Sequence, residues 1–318
     1  MRTSKKRRPN GAQPLKWIIF GAFGVLGVTA VLCGWLLPEF LDSRGTSQSR
    51  FVYESSGRKS LLAEIATENL STAVNLPGAE GLDVAKSAQI LDQWSDRVRK
   101  ETARHLYRFR AAPSEFESYF QMLMMSVVLY EDFGVRYNPE KITLPSSVTG
   151  SDSFFADSQD VFLHGLLGPR RMGTCSSMPV LYVAIGRRLG YPLKLVTTKG
   201  HLFIRWEGDG ERFNVETTSK GLNCHPDDYY RHWPFEITPE EEQAEGYLRS
   251  LTPDGERAVF NSIRAMCLCE NGRLAEAIAA LSLAAKLAPD CRSYRQMQAN
   301  IEAEARLSNA HALGMTTQ

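Results

Sequence analysis

Cys175, His201 and Glu216 are the residues whose types and spacing suit covalent chemistry. Cys175 stands in "GTCSSMPVLYVAIGRRLG", at the mouth of an apolar run of helical length that stops at Gly190. Pro179 is tolerable only in a first helical turn, which predicts a helix start between Thr174 and Ser177 and a thiol at its N-terminus. Free N–H groups and the positive end of the helix dipole favour a thiolate there, and the same N–H groups suit an oxyanion. An imidazole in reach takes the thiol proton; a carboxylate behind the imidazole fixes its tautomer and stabilises the imidazolium. A small buried cysteine and a histidine in a turn are the plain alternatives, and spacing alone leaves them open.

The elements that must position these groups follow the cysteine. In "YPLKLVTTKGHLFIRWEGDGERFNVETTSKG", Leu193 to Thr198 reads as one strand, Lys199-Gly200 as a tight turn and His201 as the start of the next strand. "EGDGE" makes a second turn before a strand over Arg212 to Thr217. Alternation puts His201, Phe203 and Arg205 on one face, and Asn214 and Glu216 on one face of the neighbouring strand. A two-residue Asp209-Gly210 loop pairs Phe203 with Glu216; a four-residue loop from Glu207 to Gly210 pairs His201 with Glu216. Either even loop leaves the imidazole and carboxylate on a common face, opposite or diagonal, whereas an odd loop separates them.

The run "GTCSSMPVLYVAIGRRLGYPLKLVTTKGHLFIRWE…FNVETTSKG" resembles the core of the transglutaminase-like superfamily, whose cysteine starts a helix and whose histidine and acid lie on successive strands. The likeness is to a bacterial branch that joins such a core to a tetratricopeptide tail. It spans residues 61 to 235, with its specific part in 160–221. The resemblance implies a papain-like α+β fold, with Cys175 as nucleophile, His201 as base and Glu216 as orienting acid. The third position is most often Asp in the superfamily, so Glu216 reaches one methylene further. Many members of this branch lack the cysteine. Gln159 is the candidate oxyanion donor, because its neighbour Asp160 cannot donate when ionised. The expected activity is acyl transfer or hydrolysis at an amide or peptide bond of a protein or peptide substrate. The alternative is a non-catalytic scaffold that binds a protein through the cleft and the helical tail.

Around that core the chain divides into five parts. Residues 1–16 hold six of the 37 Lys and Arg residues before any acidic one, and the rest of the chain then carries 31 basic against 36 acidic residues. No basic face for nucleic acid is indicated. Residues 17–37, "WIIFGAFGVLGVTAVLCGWLL", are uncharged, long enough for a bilayer and flanked by Trp17 and Trp35, which predicts a single-pass inner-membrane helix. A cleaved signal peptide fits less well, for want of a small-residue cleavage site. The basic flank predicts a cytoplasmic N-terminus and a periplasmic or extracytoplasmic main domain. Residues 38–60 read as a linker, 61–245 as the transglutaminase-like domain with a helical lead-in, and 254–308 as a tetratricopeptide-like tail able to dock a partner.

In the lead-in, Val84, Ala88, Leu91, Trp94 or Ser95, and Val98 form one helical stripe. Phe116, Phe120, Leu123 and Val127 form a second, opened by a Ser114–Glu117 capping box, and both stripes are expected to face the core. The tail breaks at Asn271-Gly272 between two helices, and residues 257 to 290 make one unit of about tetratricopeptide length, too few repeats to stand alone. It is therefore expected to pack on the catalytic-like domain. Cys224, His225, His232, Cys267 and Cys269 match no common zinc spacing, so no metal or cofactor is expected. A disulfide among Cys224, Cys267, Cys269 and Cys291 is allowed in an oxidising compartment, with no pairing readable.

Overall fold

The computed structural model describes residues 64–111, 116–142 and 154–312, with side chains to 307. It is α+β, and one nearly all-buried helix organises it. That helix, α6 (Met178–Leu189), is buried at every position from Met178 to Gly186 and carries Pro179 in its first turn. Each fully buried aliphatic side chain contributes about 1.5–3 kcal/mol, so a helix apolar all round is stable only with neighbours on every side.

Those neighbours are the lead-in helices α1 (Glu64–Ala73) and α2 (Val84–Ala111) and the short α5 (Leu163–Leu167). On the opposite flank lies an antiparallel sheet, β3 (Leu193–Thr198), β4 (His201–Gly208) and β5 (Glu211–Val215), in the order β3-β4-β5. Leu193, Leu195, Leu202, Ile204 and Trp206 belong to the core shared with α6. Val196 and Phe203, facing the other way, pack under Tyr230 and Leu248. A second, minimal sheet pairs β1 (Arg136–Tyr137) in parallel with β2 (Met172–Gly173).

The second hairpin takes the two-residue loop. Gly208 pairs with Glu211 and Ile204 with Val215, while Asp209 and Gly210 both hold positive φ (55° and 80°), the primed turn that Asp-Gly favours.

The stripe of α2 is buried from Leu91 through Trp94, Ser95 and Val98. The expected stripe of α3 (Glu117–Val127) is corrected. Phe116 is 62 % exposed, and Leu123 and Val127 are 40 % exposed, because the helix buries Ser118, Met122, Met125 and Ser126 instead. Both faces are apolar, and the flexible methionine face fits the irregular core surface. Ser114, the expected cap, lies outside the described residues, and Phe116 occupies the cap position without a side-chain bond.

The tail is three helices, α8 (Pro253–Glu270), α9 (Leu274–Leu287) and α10 (Arg292–Ala312), with the first break at Asn271-Gly272. It is part of the same body. Arg187 of α6 makes two bonds to Glu256 of α8 (2.5 and 3.0 Å), and Arg264 caps the carbonyls of Thr72 and Val74 at the end of α1 (2.6 and 2.8 Å).

The expectation of a transmembrane helix is also corrected. Among the described residues no helix is long and apolar enough to cross a membrane, and the segment 17–37 that carried the expectation lies outside them. The architecture described is an α+β core with a helical tail and contains no membrane span.

Candidate functional site

Cys175 lies in a turn that leads into α6 and is 8 % exposed. Helical hydrogen bonding begins just after it: the Ser177 and Met178 amides both donate to the Thr174 carbonyl (3.1 and 3.0 Å). The turn is braced from below. Thr174 Oγ1 and Ser177 Oγ both donate to the Asp160 carbonyl (2.9 and 3.2 Å), and the Thr174 amide donates to Ser177 Oγ (3.1 Å). Gly173 is needed for this approach, since a Cβ there would sit 2.4 Å from Ser177 Oγ. The Asp160 carboxylate, itself buried, accepts from Asn138 Nδ2 (2.8 Å) and Arg170 Nη2 (2.9 Å), with Lys141 at 3.4 Å. The backbone under the thiol is thus tied to β1 and to the short helix α4 (Ser158–Val161).

His201 and Glu216 share a sheet face, as the even loop requires. The register places Phe203 opposite Glu216, so His201 is the diagonal neighbour, and its Nε2 lies 2.8 Å from Glu216 Oε2. The other carboxylate oxygen accepts from the Thr218 amide (2.9 Å) and hydroxyl (2.6 Å). Both side chains are buried. Burial opposes the imidazolium, but the Glu216 charge and hydrogen bonds to Cys175 and Glu216 outweigh it and raise His201 to about 10. Burial likewise opposes the Glu216 carboxylate, and the His201 charge with the His201 and Thr218 hydrogen bonds outweighs that, holding its pKa below the usual value. With Nε2 engaged by Glu216, Nδ1 is the ring nitrogen left for the thiol.

A cover lies over the imidazole. Trp233 meets it edge-on at 4.6 Å, and Tyr230, stacked on Phe203 at 3.7 Å, points its hydroxyl toward Glu216 Oε2 (3.5 Å). Both come from the aromatic segment at α7 (Asp227–His232). It excludes water and keeps the ion pair strong.

Tyr137 is the neighbour that the sequence does not announce. The parallel β1–β2 pairing sets it opposite Gly173, two residues before the cysteine. Its hydroxyl lies beside Cys175, facing both the backbone N–H and the thiol. Burial and the nearby Cys175 and Glu216 hold its pKa well above the ordinary phenol value.

Gln159 lies on α4, next to Asp160 of the brace. Its amide N–H donates to Asp157 Oδ1 (2.8 Å) and its carbonyl packs on Gly165, and among the described residues its side chain makes no hydrogen bond to Cys175 or His201. Among the described residues no disulfide joins Cys224, Cys267, Cys269 or Cys291, and no three His, Cys, Asp or Glu side chains converge as a metal site.

Comparison with known proteins gives one match. The sequence model of a family described as "Transglutaminase-like superfamily" covers residues 85–254, more than half of the 318. No curated protein and no solved structure matches the chain.

Proposed function

The chain belongs to the transglutaminase-like superfamily, and from that premise we propose that it is a thiol enzyme in which Cys175, His201 and Glu216 carry acyl transfer at an amide or peptide bond. One observation carries this reading: a buried imidazole stands between a fully hydrogen-bonded carboxylate at Nε2 and the Cys175 thiol.

The steps follow from the placement. His201 Nδ1 takes the thiol proton, and sulfur adds to the carbonyl carbon while the π pair moves to oxygen. Glu216 holds the imidazolium in the orientation that later returns the proton. Collapse of the tetrahedral adduct breaks the C–N bond, and the leaving amine carries off the proton from His201. A Cys175 thioester remains. Water or a second amine, deprotonated by the same imidazole, attacks it, so the acceptor alone decides between a hydrolase and a cross-linking acyltransferase. The arrangement needs no cofactor, and the substrate class we assign is a protein or peptide amide.

The test is acylation by an activated ester. p-Nitrophenyl acetate incubated with the full chain should release a burst of nitrophenolate and leave one acetyl group on Cys175 by peptide mass. The Cys175→Ala protein should show neither. Acetylation spread over lysines with no burst would leave a non-catalytic scaffold.

A further inference from the structure

An oxyanion that forms on Cys175 needs donors besides the Cys175 amide, and among the described residues the Gln159 side chain makes no hydrogen bond to Cys175. β1 is only two residues long, yet Asn138, the residue that follows it, is hydrogen-bonded into the cysteine turn: its amide donates to the Gly173 carbonyl (2.8 Å), and its side chain anchors on Asp160. Asn138 and Tyr137, the last residue of the strand, divide the work. Asn138 goes to the brace under the turn, and Tyr137 goes to the thiol and amide of Cys175. Tyr137 is mostly enclosed and is held on the short strand, so its hydroxyl costs little to orient during reaction.

We propose that Tyr137 is a catalytic oxyanion donor, its hydroxyl and the Cys175 amide together binding the oxygen that becomes negative when the thiolate adds to a carbonyl. In the resting protein the hydroxyl holds the place of that oxygen, against the same N–H that the oxyanion would use. As the sulfur–carbon bond forms, the carbonyl π pair moves to oxygen. The phenol O–H and the Cys175 N–H then both point at the charge. The Tyr137 proton stays on tyrosine, since its raised pKa keeps the phenol neutral across the working range. Collapse of the adduct returns the pair to the carbonyl and releases the hydroxyl to its resting contact.

This rests on the nucleophile reading of Cys175, and the experiment separates the two. Iodoacetamide alkylates sulfur by displacement at a saturated carbon and develops no oxyanion, whereas p-nitrophenyl acetate acylates it through one. For Tyr137→Phe the alkylation rate of Cys175 should be unchanged, and the acetylation rate should fall about a hundredfold, the loss typical of one oxyanion donor. Equal or faster acetylation overturns the role, the faster case marking the hydroxyl as a guard on the thiol. A parallel fall in both rates also overturns it, because Tyr137 would then only position the cysteine. Gln159→Ala should leave both rates unchanged; a loss of acetylation there, with none in Tyr137→Phe, would hand the role to Gln159. Wild-type Cys175 inert to both reagents would overturn the nucleophile reading itself and Tyr137 with it, a result distinct from all the others.

Discussion

His201 and Arg205 stand on the same face of the same strand, four residues apart, and each is a buried cation partner to a carboxylate. Arg205 spends its donors on Asn214 Oδ1 (2.7 Å), the Leu248 carbonyl (2.9 Å) and Asp227 Oδ1 (2.6 Å). Asp227 in turn accepts from Asn214 (2.7 Å) and Arg212 (2.9 Å), so the network sews the segment after β5 onto the sheet. His201 has Nε2 on Glu216 and lies beside the Cys175 thiol. Burial and pairing are alike in the two clusters. The difference is that guanidinium keeps its proton throughout the working pH range, whereas imidazole can pass one on. A buried ion pair by itself marks structure; a titratable partner beside a nucleophile marks chemistry.

The largest expected effects come from truncating each cation in turn. His201→Ala should cut Cys175 acetylation by about 10²–10⁴-fold, the span of a lost general base, while the fold survives. Arg205→Ala should do the opposite. Leaving Asp227 and Asn214 without their partner costs about 3–5 kcal/mol of stability, while the fraction still folded acetylates at the wild-type rate. Urea midpoints set beside burst rates would check both, and a shared pattern in the two variants would erase the distinction.

The pH dependence of stability gives a smaller effect. His201 rises from an ordinary 6.5 to about 10 on folding, so the folded state holds its proton more tightly. That contribution is complete below pH 6.5 and is lost as pH climbs toward 10. Glu216, whose pKa falls on folding, contributes above the ordinary carboxylate value of 4.5 and loses that contribution on acidification. Melting temperature should therefore decline from pH 6.5 upward in the wild type, with a flatter profile in His201→Gln. Parallel profiles would mean that His201 gains nothing from Glu216.

The smallest effect is expected at the α3 stripe. Leu123→Ser should change the unfolding free energy from urea titration by no more than about 0.5 kcal/mol, as for an ordinary surface position. A loss of several kcal/mol would return that stripe to the core.

How much was legible follows from how local the determinants are. The His201–Glu216 relation could be reasoned out because strand alternation has a period of two and Asp209-Gly210 favours one loop length. The helix start near Cys175 was legible from Pro179. Tyr137 was not, since two paired residues 36 positions from their partners leave no periodic trace. Asp160 drew notice only as a poor donor, yet its carbonyl and carboxylate brace the cysteine turn, which takes long-range contacts to see. The α3 stripe misled because aromatic residues outweigh methionines in any apolar count, while the surface they meet prefers the adaptable thioether. The expected span at 17–37 was read from its length, its lack of charge, its flanking tryptophans and its basic N-terminal neighbours, and among the described residues no helix is long and apolar enough to cross a membrane.

The central claim is that Cys175 is a nucleophile activated by His201, and competition among the protein's own thiols tests it most directly. Cys175 is 8 % exposed, whereas Cys291 is half-buried and has its thiol pushed up to about 11 by burial and Glu245. Accessibility alone ranks Cys291 ahead of Cys175. A limiting pulse of iodoacetamide at neutral pH, read by peptide mass, should instead label Cys175 first in the wild type and lose that preference in His201→Ala. If Cys175 labels only when the fully buried Cys267 does, as the domain unfolds, the thiol is a packing residue and the account of the site is wrong.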